Sequence, residues 1–242
     1  MKIAIIPARG GSKRIQGKNL RMLAGHPLVA YAIASAHNCG LFNGGVYVST
    51  EDDNIADVSR RYGAYVIDRP CAFSGDASPD IEWVRHALEF VSGDEFVIVR
   101  PTNPFRTSHT IRELLTRYRP CACWDSVRAV SLAHQHPHKT WTISKSGVLC
   151  RYLAPWEAHG TLECDQPTQN LDRVYIQNGC LQMFRRETVE HYGNYTGLVV
   201  MPFILEGYEA IDLNTELDWL LVEAIIKEGP FSKDGQGLEP IP

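Results

Sequence analysis

Apolar residues in this chain fall into short runs that alternate with segments of helical period. Ile3 to Ile6 have the length and β-branched content of a buried strand, which breaks at Pro7. Pro27 opens LVAYAIASAHNC, whose apolar positions recur at helical spacing until Gly40. GGVYVST reads as a second strand. Ser49, Thr50 or Asp52 can cap the helix that follows, and Gly63 ends it before AYVI, a third strand. Pro79 begins the amphipathic DIEWVRHALEFV, EFVIV is a strand running into RPTNPFR, IRELLTRYR is another helix and SVRAVSL another strand. This order predicts an α/β fold, a doubly wound and mostly parallel sheet with right-handed crossovers, largely complete by about residue 132.

Residues 134–175 break the pattern. Short alternating segments there mix with Pro, Gly and His, and SKSG has the composition of a hairpin tip, so the stretch reads as an insertion suited to a lid, a dimerisation arm or both. The sheet pattern returns with GCLQMF, a helix near 186–192 and LVVMPF, followed by AIDLN and the helix TELDWLLVEAIIKEG. The expected organisation is a single domain over residues 1–230, with the insertion at about 134–175 and a loose tail at 231–242.

At 44% hydrophobic and 21% charged, the 242 residues have the composition of a soluble globular protein, and the net charge of −4 gives no general pull toward nucleic acid or anionic membrane. No apolar run approaches the ~20 residues of a membrane span and no leader pattern opens the chain, so a cytoplasmic enzyme is expected. The seven cysteines are spread without a C-x-x-C pair and read as reduced thiols. Trp141, Trp156 and Trp219 are assigned to packing, and His134, His136 and His138 to a polar surface of the insertion rather than to a metal.

Against this acidic background, residues 8–19 stand out. ARGGSKRIQGKN follows the first strand with three glycines and the cations Arg9, Lys13, Arg14 and Lys18, a composition suited to a polyphosphate. Five residues separate Gly11 from Gly17 and Asn19 follows Lys18, so this is neither a Walker A loop nor a Rossmann fingerprint, and a solvated connecting loop stays possible. Arg69 and Asp76 after the third strand, and RPTNPFR after the fourth, reach the same sheet edge if the strands are parallel. Asp212 ends an apolar stretch, at an expected strand-to-helix junction. It suits Mg²⁺, or it merely stabilises the start of a helix capped by Thr215. No protein nucleophile is evident, and phosphoryl or nucleotidyl transfer needs none.

IIPARGGSKRIQGKN, STEDD, the segment from Arg69-Pro70 to Asp76, RPTNPFRT, QPTQNL…YIQNG and AIDLNTELD occur in order, and over about residues 2–225 the chain resembles the CMP-sialic acid synthetases, the acylneuraminate cytidylyltransferases. The resemblance implies a GT-A-like nucleotidyltransferase fold and a homodimer built through the insertion. It implies transfer of CMP from CTP, with Mg²⁺, to the anomeric hydroxyl of an acidic small-molecule acceptor, a nonulosonic or 3-deoxy-ulosonic acid, releasing pyrophosphate. By position it assigns Arg9, Lys18 and Asp212 to catalysis, and Ala8, Arg9, Gly10, Gly11, Ser12, Lys13, Lys18, Asn19, Arg69 and Asp76 to CTP. Arg100, Thr102, Asn103, Arg106, Gln169 and Asn178 would meet the acceptor, and Asp212 with Asn214 the metal.

Four positions depart from that family. Asn214 stands where an aspartate is common, Thr168 and Ile176 where arginines are common, and Arg100 where glutamine is common. The nucleotide half matches better than the acceptor half. The alternatives are a CTP-dependent enzyme acting on a phosphonate or another small acid, and a weakly catalytic nucleotide-binding homologue.

Overall fold

A computed structural model describes residues 1–118, 123–153 and 162–228. The expected tail at 231–242, Cys121, Trp156 and the middle of the insertion lie outside the described residues.

The strands are β1 (Lys2–Pro7), β2 (Met22–Leu23), β3 (His26–Pro27), β4 (Val46–Thr50), β5 (Tyr65–Asp68), β6 (Glu95–Val99), β7 (Ser126–Leu132), β8 (Trp141–Ile143), β9 (Leu149–Arg151), β10 (Tyr175–Arg185) and β11 (Val200–Ile204). The helices are α1 (Leu28–Cys39), α2 (Asp53–Arg61), α3 (Asp80–Phe90), α4 (Ser108–Arg117), α5 (Arg186–Tyr192) and α6 (Glu216–Glu228). Helix ends follow local chemistry. Gly40 closes α1 in the left-handed region at φ 70°, and the Asp52 carboxylate caps α2 by accepting from the N–H groups of Asn54 and Ile55.

Seven strands form one sheet in the order β11-β7-β10-β6-β1-β4-β5. β10 pairs antiparallel with both β6 and β7, while the other pairings are parallel. Six strands therefore deliver their carboxyl ends to one edge. Five of the seven strands are made by residue 132, as expected, but β10 fills the gap between β6 and β7, so β7 joins the sheet only after the chain has made the insertion and returned. Alternation in β1 and β6 splits the core. Ala4, Ile6, Val97 and Val99 pack with α1 and α4, whereas Ile3, Ile5, Phe96 and Ile98 pack with α3 and α5.

A third cluster bears on the site. Ile15 from the glycine-rich loop, Leu23 from β2, Tyr31, Phe105 and Leu213 close around Trp219 of α6, all nearly inaccessible. Burying side chains of this size contributes roughly 1.5–3 kcal/mol each, which fixes the loop against α6.

Three expectations change. Asp212 does not end a strand: a 3-10 turn at Gly207–Ala210 leads into irregular backbone, because the chain has left the sheet at β11. Trp141 is 45% exposed on the β8–β9 hairpin, outside the three core clusters. Cys123 is disulfide-bonded, against the expectation of reduced thiols, whereas Cys39, Cys71, Cys150, Cys164 and Cys180 are outside any disulfide. Of the three histidines, His136 is buried, and its Nε2 bonds to the Asp172 carbonyl at 3.0 Å, tying the two ends of the insertion together.

Candidate active site

The loops after β1, β5 and β6 meet at the carboxyl edge around a cleft of about 280 Å³. Its lining includes Arg9, Lys13, Arg14, Lys18, Arg69 and Arg100 against the carboxylates Asp76 and Asp80. Six cations facing two anions, in a chain of net charge −4, make it a site for a multiply charged anion. A larger hollow of about 1010 Å³ lies at the opposite edge, beside Met1, Lys2 and Arg186. Its cations are matched by as many carboxylates, the terminal amine, Lys2, Arg185 and Arg186 against Asp94, Glu95, Glu187 and Glu190, so the excess of positive charge belongs to the cleft.

The loop 8–19 is held from several sides. Asn19 is buried, and its amide donates to the Arg9 carbonyl at 2.8 Å. Glu51, at the end of β4, accepts from Gly10 N–H at 2.8 Å and from Ser74 Oγ at 2.9 Å, bridging two of the three loops. A Cβ on Gly10 would stand 2.4 Å from Asp52 Oδ2, so the close approach of the loop to the α2 cap requires glycine there. Lys18 Nζ donates to the Leu213 carbonyl at 3.1 Å, and Leu213 N–H donates to the Thr102 carbonyl at 2.8 Å. One residue thus joins the glycine loop, the 100–106 loop and the acidic segment at 212–214.

The electrostatics show what the cations cost before a ligand arrives. Burial first, then repulsion from Arg14, Arg9 and Arg100, lowers the Lys18 pKa from 10.5 to about 8 against the opposing pull of Asp212. Burial likewise lowers Arg69 to about 10; its guanidinium donates to Ser49 Oγ and O and lies 5.2 Å over the Trp83 ring. Asp80 is pushed up by burial, but the Arg100 charge together with donors from Trp83, Arg100 and Tyr195 outweighs this and holds its carboxyl below the usual range. Arg100 is thereby clamped on Asp80.

The cleft lining includes Arg9, Ser12, Lys13, Lys18, Asn19, Arg69, Asp76, Arg100 and Thr102 of the residues expected from the sequence. Others are elsewhere. Ala8 is buried with its N–H bonded to the Ser49 carbonyl and Gly10 N–H is taken by Glu51, so these two amides are occupied within the fold, while Gly11 is exposed and off the lining. Asn103 and Arg106 are 1% and 2% exposed. Asn103 donates to the Glu209 carbonyl, and Arg106 to the Arg100 and Cys180 carbonyls and Ser35 Oγ, so both hold the loop from behind instead of facing an acceptor. Gln169 lies exposed on a 3-10 turn of the insertion, away from the lining. Asn178 is buried in a bulge of β10, where the register with β7 slips between Gln177 and Gln182; its Oδ1 accepts from Cys180 N–H.

Asp212 borders the cleft. A Cβ added to Gly179 would lie 3.8 Å from Asp212 Oδ2 and 3.6 Å from Arg100 Cδ, which places both near the bulge. The cap of α6 is a box between Thr215 and Asp218 that does not involve Asp212. Asn214 Nδ2 donates to Asp212 Oδ2 at 2.7 Å, so the amide nitrogen orients the carboxylate. Asp212 Oδ1 is buried without a partner. Among the described residues no group of three or more His, Cys, Asp or Glu could hold a metal. One free carboxylate oxygen still fits Mg²⁺, which takes one or two carboxylates and completes its shell with water and phosphate oxygens.

Glu51, Asp80, Trp83 and Tyr195 were not anticipated. Glu51 directly follows β4, a position that a parallel sheet directs to a ligand, and that placement was the signal available; Asp80 and Trp83 lie in the first turn of α3, and Tyr195 follows α5.

Comparison with known proteins agrees with this geometry. Residues 3–128 match the family described as Cytidylyltransferase. The CMP-N,N'-diacetyllegionaminic acid synthase of Legionella pneumophila is 31% identical, over 93% of this chain and 96% of its own length. The N-acylneuraminate cytidylyltransferase of Escherichia coli is 27% identical over 92% of this chain, which spans about half (51%) of that relative. Among solved structures, a CMP:2-keto-3-deoxy-manno-octonic acid synthetase complexed with CTP aligns with TM-score 0.68 at 15% identity, covering 94% of this chain and 98% of that one. The 4-diphosphocytidyl-2C-methyl-D-erythritol synthase of Anaerococcus prevotii aligns with TM-score 0.63 at 11% identity, covering 94% and 96%. These two likenesses concern the fold, an α/β nucleotidyltransferase architecture. With half its length matched to one family and a relative of equal extent above 30% identity, the chain belongs to the cytidylyltransferases.

Proposed function

We propose that the chain transfers CMP from CTP to the anomeric hydroxyl of a nonulosonic or related 3-deoxy-ulosonic acid and releases pyrophosphate. The observation that carries this reading is the excess of cations in a cleft at the carboxyl edge of a cytidylyltransferase sheet. Two relatives are named for N-acylneuraminate and diacetyllegionaminic acid, which supports an acceptor of that class.

In this reading Arg9, Lys13 and Lys18 neutralise the outer phosphates, and Arg69, fixed on Ser49, holds the nucleotide side of the cleft. The acceptor oxygen bonds to the α-phosphorus as the bond to the departing pyrophosphate breaks, and the hydroxyl proton leaves to water. The cations favour the charge that develops on the leaving group, and they are already in place when it forms. Mg²⁺ would be held at Asp212 Oδ1 and would add charge neutralisation on the same phosphates. Arg100, fixed on Asp80, keeps N–H groups for the acceptor carboxylate, while Thr168 and Ile176 bring it no charge.

A homodimer belongs to the same proposal. Ile143 and Leu149 face solvent on the β8–β9 hairpin at 74% and 60% exposure, with Trp141 beside them, which suits a second copy of the chain. Among the described residues no helix is long and apolar enough to cross a membrane, and a CTP-consuming enzyme is proposed to work in the cytoplasm.

The test is pyrophosphate release from CTP and Mg²⁺ across panels of ulosonic acids and phosphonates. Turnover with an ulosonic acid is expected; turnover confined to phosphonates would replace the acceptor, and CTP binding with no turnover on either panel would support the weakly catalytic alternative.

A further inference from the structure

Asp76 stands in the segment between β5 and α3, and each of its oxygens is held by a cation of the glycine-rich loop. Oδ1 lies 2.9 Å from Arg9 Nη2 and Oδ2 lies 2.6 Å from Lys13 Nζ. Arg9 Nη1 adds bonds to the Ser74 and Gly75 carbonyls at 3.4 and 3.0 Å. The segment is thus folded onto the loop, with Glu51 bridging Ser74 and Gly10 at its base.

Two cations gripping one carboxylate is the arrangement that two cations make around the oxygens of a phosphate. A polyphosphate could not share them with Asp76, because like charges at that distance repel. The two cleft carboxylates differ in this respect. Asp80 is fixed by three donors, from Trp83, Arg100 and Tyr195, whereas Asp76 is held only by the two loop cations, one of them the largely exposed Lys13, and its carboxylate can swing into water.

We propose that Asp76 is an internal substitute for the outer phosphates, one that holds Arg9 and Lys13 while the cleft is free, yields them to a triphosphate, and reclaims them as pyrophosphate leaves. This rests on the cytidylyl-transfer reading, which makes Arg9 and Lys13 phosphate ligands. Asp76 is then a positioning residue that sets how tightly pyrophosphate is retained, and not a ligand of CTP.

Asp76→Asn keeps the shape and removes the competing charge, and Asp76→Ser is a second variant with the same purpose. Calorimetric titration with magnesium pyrophosphate should show binding roughly three- to tenfold tighter in both, the range that two partly exposed ion pairs can supply. Product inhibition of turnover should strengthen by a similar factor, with a lower KM for CTP and no rise in kcat. In a Lys13→Met background the effect of Asp76→Asn should shrink by about half, as expected for groups in direct contact. Unchanged or weaker pyrophosphate binding in both variants, with native melting temperatures, would overturn the proposal and make Asp76 an organiser of the cations. Failure of the native chain to bind CTP or pyrophosphate at all would overturn the functional reading and this inference together.

Discussion

Replacing Lys18 with methionine keeps an apolar stem of similar length and deletes a charge that the native fold holds at a cost. The ammonium has a pKa of about 8 in place of 10.5, chiefly through burial and then through the neighbouring arginines, against the pull of Asp212. That displacement is worth about 3 kcal/mol against the charged form. Between about pH 8 and 10.5 the unfolded chain carries the proton and the native chain does not, so native stability rises with pH across this window and the full penalty applies below it. Lys18→Met removes this penalty, which already includes the opposing pull of Asp212, but loses the charge-assisted bond to the Leu213 carbonyl. A net gain of about 1 kcal/mol is expected at pH 7, or about 2–4 °C in Tm for a chain of this size, fading above pH ~10.5. Activity should move the other way. A charge-assisted bond to phosphate contributes about 1.5–3 kcal/mol, so kcat/KM for CTP should fall about ten- to hundredfold. Scanning calorimetry at pH 7 and near pH 11, beside pyrophosphate-release kinetics, reads both quantities. A drop in Tm that tracks the loss of activity, or a gain in Tm that ignores pH, would refute the reasoning.

Three further outcomes are expected. Asn214→Asp exchanges a donor 2.7 Å from Asp212 for a second carboxylate, so the variant should lose about 1–3 kcal/mol without a divalent ion and recover it with Mg²⁺; thermal shifts that rise with Mg²⁺ more in the native chain than in the variant would contradict this. Gly10→Ala places a methyl 2.4 Å from Asp52 Oδ2 and must displace the α2 cap, costing about 1–3 kcal/mol in urea unfolding along with most of the activity, whereas native stability would show that the loop gives way freely. Ala24 holds φ 46° in the β2–β3 turn before Gly25, and Ala24→Asn should stabilise by about 0.5–1 kcal/mol with kinetics unchanged, because Asn-Gly suits such a turn; an unchanged urea midpoint would show that the turn is not strained.

Much of the fold was legible because local signals agreed with one another. Pro27 and Gly40 bracket α1, Pro79 precedes α3, and EFVIV matches β6 residue for residue. β10 was harder. Its segment GCLQMF is apolar because both faces are buried, and that pattern does not state the direction in which a strand runs after a long insertion. The cations of the cleft were legible as unusual composition in an acidic chain. The duties of Asn103, Arg106 and Gly10 were not, because a motif names a residue without saying whether its donors turn to a ligand or to a neighbouring carbonyl. Asp80 was invisible for a similar reason: it acts through Arg100, a partner distant in the sequence.

A crystal structure with CTP and Mg²⁺ tests the central claim most directly. The account predicts the triphosphate within hydrogen-bond distance of Arg9, Lys13 and Lys18, with Asp212 Oδ1 on the metal side and the α-phosphorus open toward Arg100. CTP bound away from the 8–19 loop, or phosphates turned from those three cations, would contradict it.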